Sequence, residues 1–249
     1  MNYEQNRRFM KCPNFTETMA ESDHKKGIPS PPHNKPTIHE TVVLKTFDNV
    51  LTQPNYATLL DTRRSQRKYA DETMTQEKLA FILWSAQGIQ QSHGSFSFRP
   101  APSGGARHAF ETYIAVRDVE GLEPGLYRYV PQENIGEKIV TLEKHGKIEN
   151  YAATMKEMMD GAGWTATTQA VIIYTCVPYR CEWVYNSLAH RLMLMDIGHI
   201  GQNVMLSAEA VGLGSCCIAA YNQEKCDEVL NLDGLDEYTV YAIPVGKVQ

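Results

Sequence analysis

Arg63-Arg64-Ser65-Gln66-Arg67 sets three guanidinium groups and a hydroxyl within five residues, in a chain whose formal charge is −5. A planar guanidinium presents forked donors that match a phosphate or a carboxylate. Ser65 adds a short donor able to close the same cradle. Alone, the run fits either a solvated basic turn or a small-anion site. A second segment is Ala101-Pro102-Ser103-Gly104-Gly105-Ala106. Its small residues let backbone N–H groups approach a ligand closely, although they also suit a plain surface turn. A third, Gly212 to Tyr221, holds Gly214, Ile218, Ala219 and Ala220 where a glycine-terminated helix feeds a strand of small and apolar side chains.

Composition narrows the partners. Apolar residues make up 43% of the 249 and charged residues 21%, ordinary for a globular protein with a sizeable core. An acidic chain lacks the basic footprint of general nucleic-acid binding, so the arginine run is matched to a small anion rather than a polymer. No apolar run approaches the roughly 18–20 residues that span a bilayer, and Met1 to Cys12 does not read as a secretory signal. Six cysteines without paired C-x-x-C spacing suggest free thiols, a cytoplasmic location and no zinc site. His190 and His199 stand too far apart for one metal-binding face, and His199 reads as a hydrogen-bonded core histidine.

The elements that must position these segments are legible in part. Gly27 to Pro36 carries four prolines in ten residues and favours extended backbone. Residues 1–50 are therefore expected as an extended arm lying across the domain or a partner subunit, anchored by Phe9, Met10 and Phe15. Residues 51–249 form the expected compact domain. Leu79, Ile82, Leu83, Ala86 and Ile89 recur at helical spacing. Glu111 to Val116 and Leu126 to Val130, joined through Pro124-Gly125, predict a hairpin. Ile148 to Met159 predicts a helix, Ala170 to Val177 a buried strand, and Tyr185 to Val211 one long helix buried in the core or an interface. Strands are expected at Ser215 to Ala220 and Tyr238 to Val245, with a short helix at Gln223 to Leu230. Strands and helices interleave without a regular βαβ repeat, which predicts an α+β fold. No Rossmann fingerprint, P-loop or nucleophile elbow is present.

The order and spacing of these segments resemble the nitroreductase-like flavoproteins from about Leu59 to Gly246. The resemblance is carried by Arg63-Arg-Ser-x-Arg67, Leu83-Trp-Ser-Ala-Gln-Gly-Ile89, Pro102-Ser-Gly-Gly105 and Val119-Glu-Gly-Leu-Glu-Pro-Gly-Leu-Tyr127. Asp196-Ile-Gly-His-Ile-Gly-Gln-Asn203, Ala208-Glu-Ala-Val-Gly-Leu-Gly214 and Ile243-Pro-Val-Gly246 complete it. The branch most resembled contains the azoline-oxidising dehydrogenases of ribosomal-peptide maturation and their free-standing relatives. The resemblance implies a central, mostly antiparallel sheet flanked by helices, with the long helix at a homodimer interface and FMN bound there. It further implies cofactor contacts from Arg63, Arg64, Ser65 and Arg67, and from Pro102, Ser103, Gly104 and Gly105 of the other subunit. Gly214, Ile218, Ala219, Ala220 and Lys247 would complete the set, with the two alanines offering backbone N–H groups to flavin N5.

One position departs from that branch. Its Lys-Tyr pair corresponds here to Val184-Tyr185, and valine cannot take a proton. Tyr185 remains as a candidate donor near substrate, or as a buried structural tyrosine. Arg180, Arg191 and Asp196 could orient an anionic group or serve in salt bridges. The implied activity is hydride transfer through FMN in a ping-pong cycle, with NADH or NADPH as candidate donors and a small organic substrate. The rivals are a flavin- or peptide-binding scaffold, a flavin-consuming enzyme and a proline-motif adaptor.

Overall fold

A computed structural model describes residues 3–12, 14–94 and 96–249. In chain order the elements are α1 (Tyr3–Met10), α2 (Phe15–Ala20), β1 (Thr41–Val43), α3 (Tyr56–Thr62), α4 (Gln76–Gln87), β2 (Gln91–His93) and β3 (Phe96–Phe98). There follow β4 (Phe110–Val116), β5 (Gly125–Tyr129), β6 (Thr141–Gly146), α5 (Tyr151–Met158), β7 (Ala170–Cys176) and α6 (Tyr179–Tyr185). The chain closes with α7 (Ala189–Ala210), β8 (Gly214–Ser215), α8 (Gln223–Leu230) and β9 (Tyr238–Gly246).

Seven strands form one antiparallel sheet in the order β1-β6-β5-β4-β7-β9-β8, while β2 and β3 pair separately as a short hairpin. The sheet is covered on both faces. Ile114, Val116, Ile172 and Tyr174 point to the face packed by α4 and α7, whereas Tyr113, Ala115, Val171 and Ile173 point to the face packed by α5 and α8. Strands buried on both sides have no reason to alternate in polarity, which explains the continuous apolar run at Ala170 to Cys176. Leu79, Ile82 and Leu83 of α4 are fully buried, each stabilising the fold by about 1.5–3 kcal/mol. The expected α+β architecture and the β4–β5 hairpin are both present.

Several expectations need correction. The helix predicted from Tyr185 to Val211 begins later, at Ala189, because Tyr185 ends α6 and Asn186 breaks the path between them. Asn186 adopts φ 50° and ψ −132°, a conformation outside the helical regions, and its Nδ2 donates to Thr18 O at 3.1 Å. Within the single chain α7 buries one side and leaves Leu194 and Met195 exposed. His199 also lies on this exposed side and is not a core histidine. The predicted strand at Ser215 to Ala220 stops after Ser215 and touches the sheet again only where Ile218 bridges Ala242. Ladder register sets Cys216 against Pro244, which has no N–H to donate.

The arm is not wholly extended: α1 and α2 precede the proline-rich stretch. Met10 is exposed and anchors nothing, Phe9 faces a groove beside Met193, and Phe15 sits 6.2 Å from the Tyr185 ring. Nor does the arm run to residue 50: β1 pairs with β6 in the sheet, and Leu44 and Phe47 are buried in the core. Ahead of β1 the fastening is largely polar. Residues 28–39 cross the domain as a strap whose backbone is gripped by buried side chains. Arg180 Nε donates to Pro32 O at 2.9 Å and Arg128 Nη2 to Pro36 O at 2.8 Å. Glu111 accepts from Lys35 N, and Glu143 from both Ile38 N and His39 N. Trp183 Nε1 donates to Ile28 O.

Candidate functional site

The arginine run follows α3. Arg63 ends that helix with extended backbone, which carries Ser65 alongside β8 as a parallel bridge to Ser215. Gln66 N donates to Ser215 O at 2.9 Å. The C-terminal chain returns past the same place: Ala70 N donates to Lys247 O at 2.8 Å, and Tyr69 bridges Val248. Gln169 ties the two together, accepting from Lys247 N at 3.0 Å and donating to Ala70 O at 2.8 Å. Gly214 is required here, because a Cβ would collide with Val248 and Gln66.

Among the described residues, the side chains of Arg63, Ser65 and Arg67 make no hydrogen bond or ion pair, and Ser65 and Arg67 are exposed. Arg64 differs from its neighbours. Its Nη1 donates to Asp61 O and Arg63 O at 2.7 and 2.8 Å, so it caps α3. Sequence reasoning passed over Lys78, on the first turn of α4. Burial lowers its pKa, and the nearby charge of Lys247 lowers it further, so the two ammonium groups share one neighbourhood. Lys78 belongs to a helical pattern, and nothing in the sequence links it to Lys247. Ile218 is buried and pairs with Ala242, whereas Ala219 and Ala220 are exposed and donate no backbone hydrogen bond among the described residues.

A second group of predicted residues gathers elsewhere. Gly105 sits at φ +60°, and the Tyr185 hydroxyl lies where a Cβ would stand. Asp196 on α7 accepts from Gly104 N at 3.1–3.2 Å. Ser103 Oγ accepts from His108 N, while Leu192 lies under Gly104. Burial raises the pKa of Asp196 against the opposing effect of its bonds to Ser103 and Gly104. Burial likewise raises that of Tyr185, which keeps its phenol protonated. Phe98, Pro102 and Gly105 help line a cavity of about 570 Å³ beside this loop. Arg180 is buried and paired with Glu111, so it serves the strap instead of orienting a ligand.

The structure therefore sorts the predicted residues into two assemblies. Arg63, Ser65, Arg67, Gly214 and Lys247 form one; Pro102 to Gly105 with Tyr185 form the other. No hydrogen bond among the described residues joins them. Among those residues no cluster of three or more His, Cys, Asp or Glu side chains could hold a metal, and no helix is long and apolar enough to cross a membrane.

This sheet order, with the arginine run against the last strands and the glycine loop against the long helix, defines a nitroreductase-type fold. The nitroreductase family pattern matches residues 60–247, and the chain belongs to that family. A Methanocaldococcus jannaschii protein named as a nitroreductase, MJ1384, is 33% identical over 189 residues, covering 76% of this chain and 89% of the relative. The microcin B17-processing protein McbC of Escherichia coli is 24% identical over 139 residues; they cover 54% of this chain and about half, 49%, of McbC. A crystal structure from Anabaena variabilis, also named as a nitroreductase, superposes with a TM-score of 0.63 at 28% identity. That match covers 77% of this chain and 38% of the other. Residues 1–59, including the strap, lie outside the family match.

Proposed function

We propose that this chain is an FMN-dependent oxidoreductase whose cofactor sites form between two copies of it. The observation that carries the reading is the set of unengaged donors on Arg63, Ser65 and Arg67, held by main-chain bonds against Ser215 and the Lys247 segment. Side chains with internal partners would have to be released before they could bind an anion; these need no release. Arg63, Arg67 and Lys247 would hold the phosphate and the polar edge of the flavin. Ala219 and Ala220 would offer backbone N–H groups. Bound FMN supplies a ring that accepts and returns hydride.

The chain's own residues then have separable tasks. Positive charge from the arginines favours the anionic reduced form of the cofactor. Asp196 fixes the Gly104 peptide and so the shape of the loop. Tyr185, protonated and packed on Gly105, can donate a hydrogen bond to substrate but is no base at neutral pH. Val184 supplies no proton acceptor either, which favours reduction of an electron-poor substrate over azoline oxidation. The exposed Leu194 and Met195 of α7 support a second copy packing there, bringing its Pro102 to Gly105 loop to this chain's arginines. Similarity to a microcin-processing protein favours a second reading, a dehydrogenase acting on a peptide heterocycle.

The test is the visible spectrum of purified protein reconstituted with FMN, followed by anaerobic NADH and NADPH. Bound flavin that bleaches with either nucleotide supports the reductase. Bound flavin reduced by neither favours the second reading, and failure to bind FMN at all overturns both.

A further inference from the structure

Between the strap and the β2–β3 hairpin lies a cavity of about 390 Å³ that the family's flavin chemistry does not account for. Its walls include Pro31, Ile89, Phe96 and Ile135, and its polar positions include Ser30, His33, Asn34 and Ser97. Both ring nitrogens of His33 are buried without a hydrogen-bond partner, and so is Ser97 Oγ, on a residue only 4% exposed. Just behind Asn34, Arg99 Nε and Gln87 Nε2 are unpartnered as well. A buried polar group left unsatisfied is costly, so such a cluster points to something that completes it.

Charge says what. Cations of this region are paired where they meet carboxylates: the buried Arg128 with Glu111 and Glu143, the buried Arg180 with Glu111, and the half-buried Lys35 with Glu237. Arg99 and Arg107 form no ion pair among the described residues. Arg99 bonds the neutral oxygens of Gln87 and Asn34, at 3.0 and 2.8 Å. Arg107 bonds Arg180 O and Ser30 Oγ, at 2.8 and 2.9 Å. Asn34 and Ser30 both line the cavity, so two guanidinium groups without an ion-pair partner among the described residues stand one residue behind its wall. Burial and these arginines hold His33 down at about pKa 4, leaving a neutral ring able to donate one N–H. Water can satisfy donors but cannot neutralise charge. An anion does both.

We infer that this cavity binds an organic carboxylate with a small apolar body, its oxygens accepting from Ser97 Oγ and the His33 ring in the field of Arg99 and Arg107. Phe96 and Ser97 also line the larger cavity beside Pro102 to Gly105. A ligand anchored here extends toward that loop, and in this respect alone the inference rests on the flavin reading: the carboxylate is then one end of the substrate.

The experiment titrates benzoate into flavin-free protein, followed by imidazole NMR of His33 and by thermal shift. Benzyl alcohol and inorganic phosphate are the comparison ligands. Benzoate should bind saturably and raise the His33 pKa, benzyl alcohol should not bind, and phosphate should bind less tightly. Ser97→Ala should weaken benzoate at least about tenfold, equivalent to 1.4 kcal/mol. Equal binding of benzyl alcohol, tighter binding of phosphate, or an unmoved His33 resonance overturns the assignment without recourse to any variant. With FMN restored, 4-nitrobenzoate should be preferred to nitrobenzene in kcat/KM, a preference that Ser97→Ala should abolish. No preference overturns the link to the substrate. A protein that binds benzoate but no FMN retains the carboxylate site and loses only the flavin reading.

Discussion

Two groups of arginines use the same side chain to opposite ends. Arg63 and Arg67 stand at the surface with their donors unengaged, positioned entirely by main-chain bonds to β8 and the C-terminal segment. Arg128 and Arg180 lie buried under the strap, paired with Glu111 and Glu143 and capping carbonyls of Pro36 and Pro32. The first group can be removed without leaving any protein atom unsatisfied, whereas the second cannot. Binding function and structural function are thus separable by asking which donors the fold has already used.

The largest effect expected from that contrast is on stability. Arg128→Met leaves the Glu143 carboxylate buried without its guanidinium and should cost about 3–5 kcal/mol, read by urea denaturation of the flavin-free protein. A loss under about 1 kcal/mol would break the comparison. The Arg63→Ala, Arg67→Ala double variant should weaken FMN binding by about 100-fold or more, while its flavin-free melting temperature stays that of the parent. Matched losses in both measurements would mean the two groups do not differ in kind.

Acid should separate them next. Burial would raise the Glu143 carboxyl, but the N–H groups of Ile38 and His39 and the Arg128 guanidinium outweigh it and hold the pKa at about 2. Burial and the nearby arginines hold His33 at about 4. Both values lie below those of the unfolded chain, so the stability they confer is present at neutral pH and lost as pH falls. His33 acts first, between about 6.5 and 4, and Glu143 between about 4.5 and 2. The strap should loosen over that range, reported by the fluorescence of Trp183, whose indole bonds Ile28 O. Arg128→Met should move that transition to higher pH, and the surface double variant should leave it alone. A smaller effect concerns the loop: Gly105→Ala, at φ +60° and against the Tyr185 hydroxyl, should cost about 1–2 kcal/mol. The smallest is Arg64→Ala, which removes an exposed helix cap and should change stability by less than about 0.5 kcal/mol and FMN affinity little.

What the sequence made legible was local. Alternation with Pro124-Gly125 announced the β4–β5 hairpin, helical spacing announced α4, and the arginine and glycine segments marked themselves by composition. What stayed hidden depended on distant partners. Pro244 interrupts the pairing of Cys216, yet only the register reveals that they face each other. Asn186 reads as any helical residue until its non-helical backbone is seen. The strap reads in sequence as an arm across the domain or a partner, but with Phe9, Met10 and Phe15 as anchors, because its polar grip comes from Glu111, Arg128, Glu143, Arg180 and Glu237, none within 70 residues of it. Arg64, indistinguishable by type from its neighbours, turned back on α3.

The strap also imposes an order in time. Lys35 Nζ meets Glu237 at 2.6 Å, a contact between residues 202 apart in the chain. During synthesis residues 28–39 emerge about 200 residues before Glu237 does, and wait that long for this anchor. Long-range contacts of this kind form late, because loop closure must precede any gain. Until then residues 28–39 are accordingly free to be bound by a chaperone or cut by a protease, and those opportunities end when Glu237 and β9 come into place.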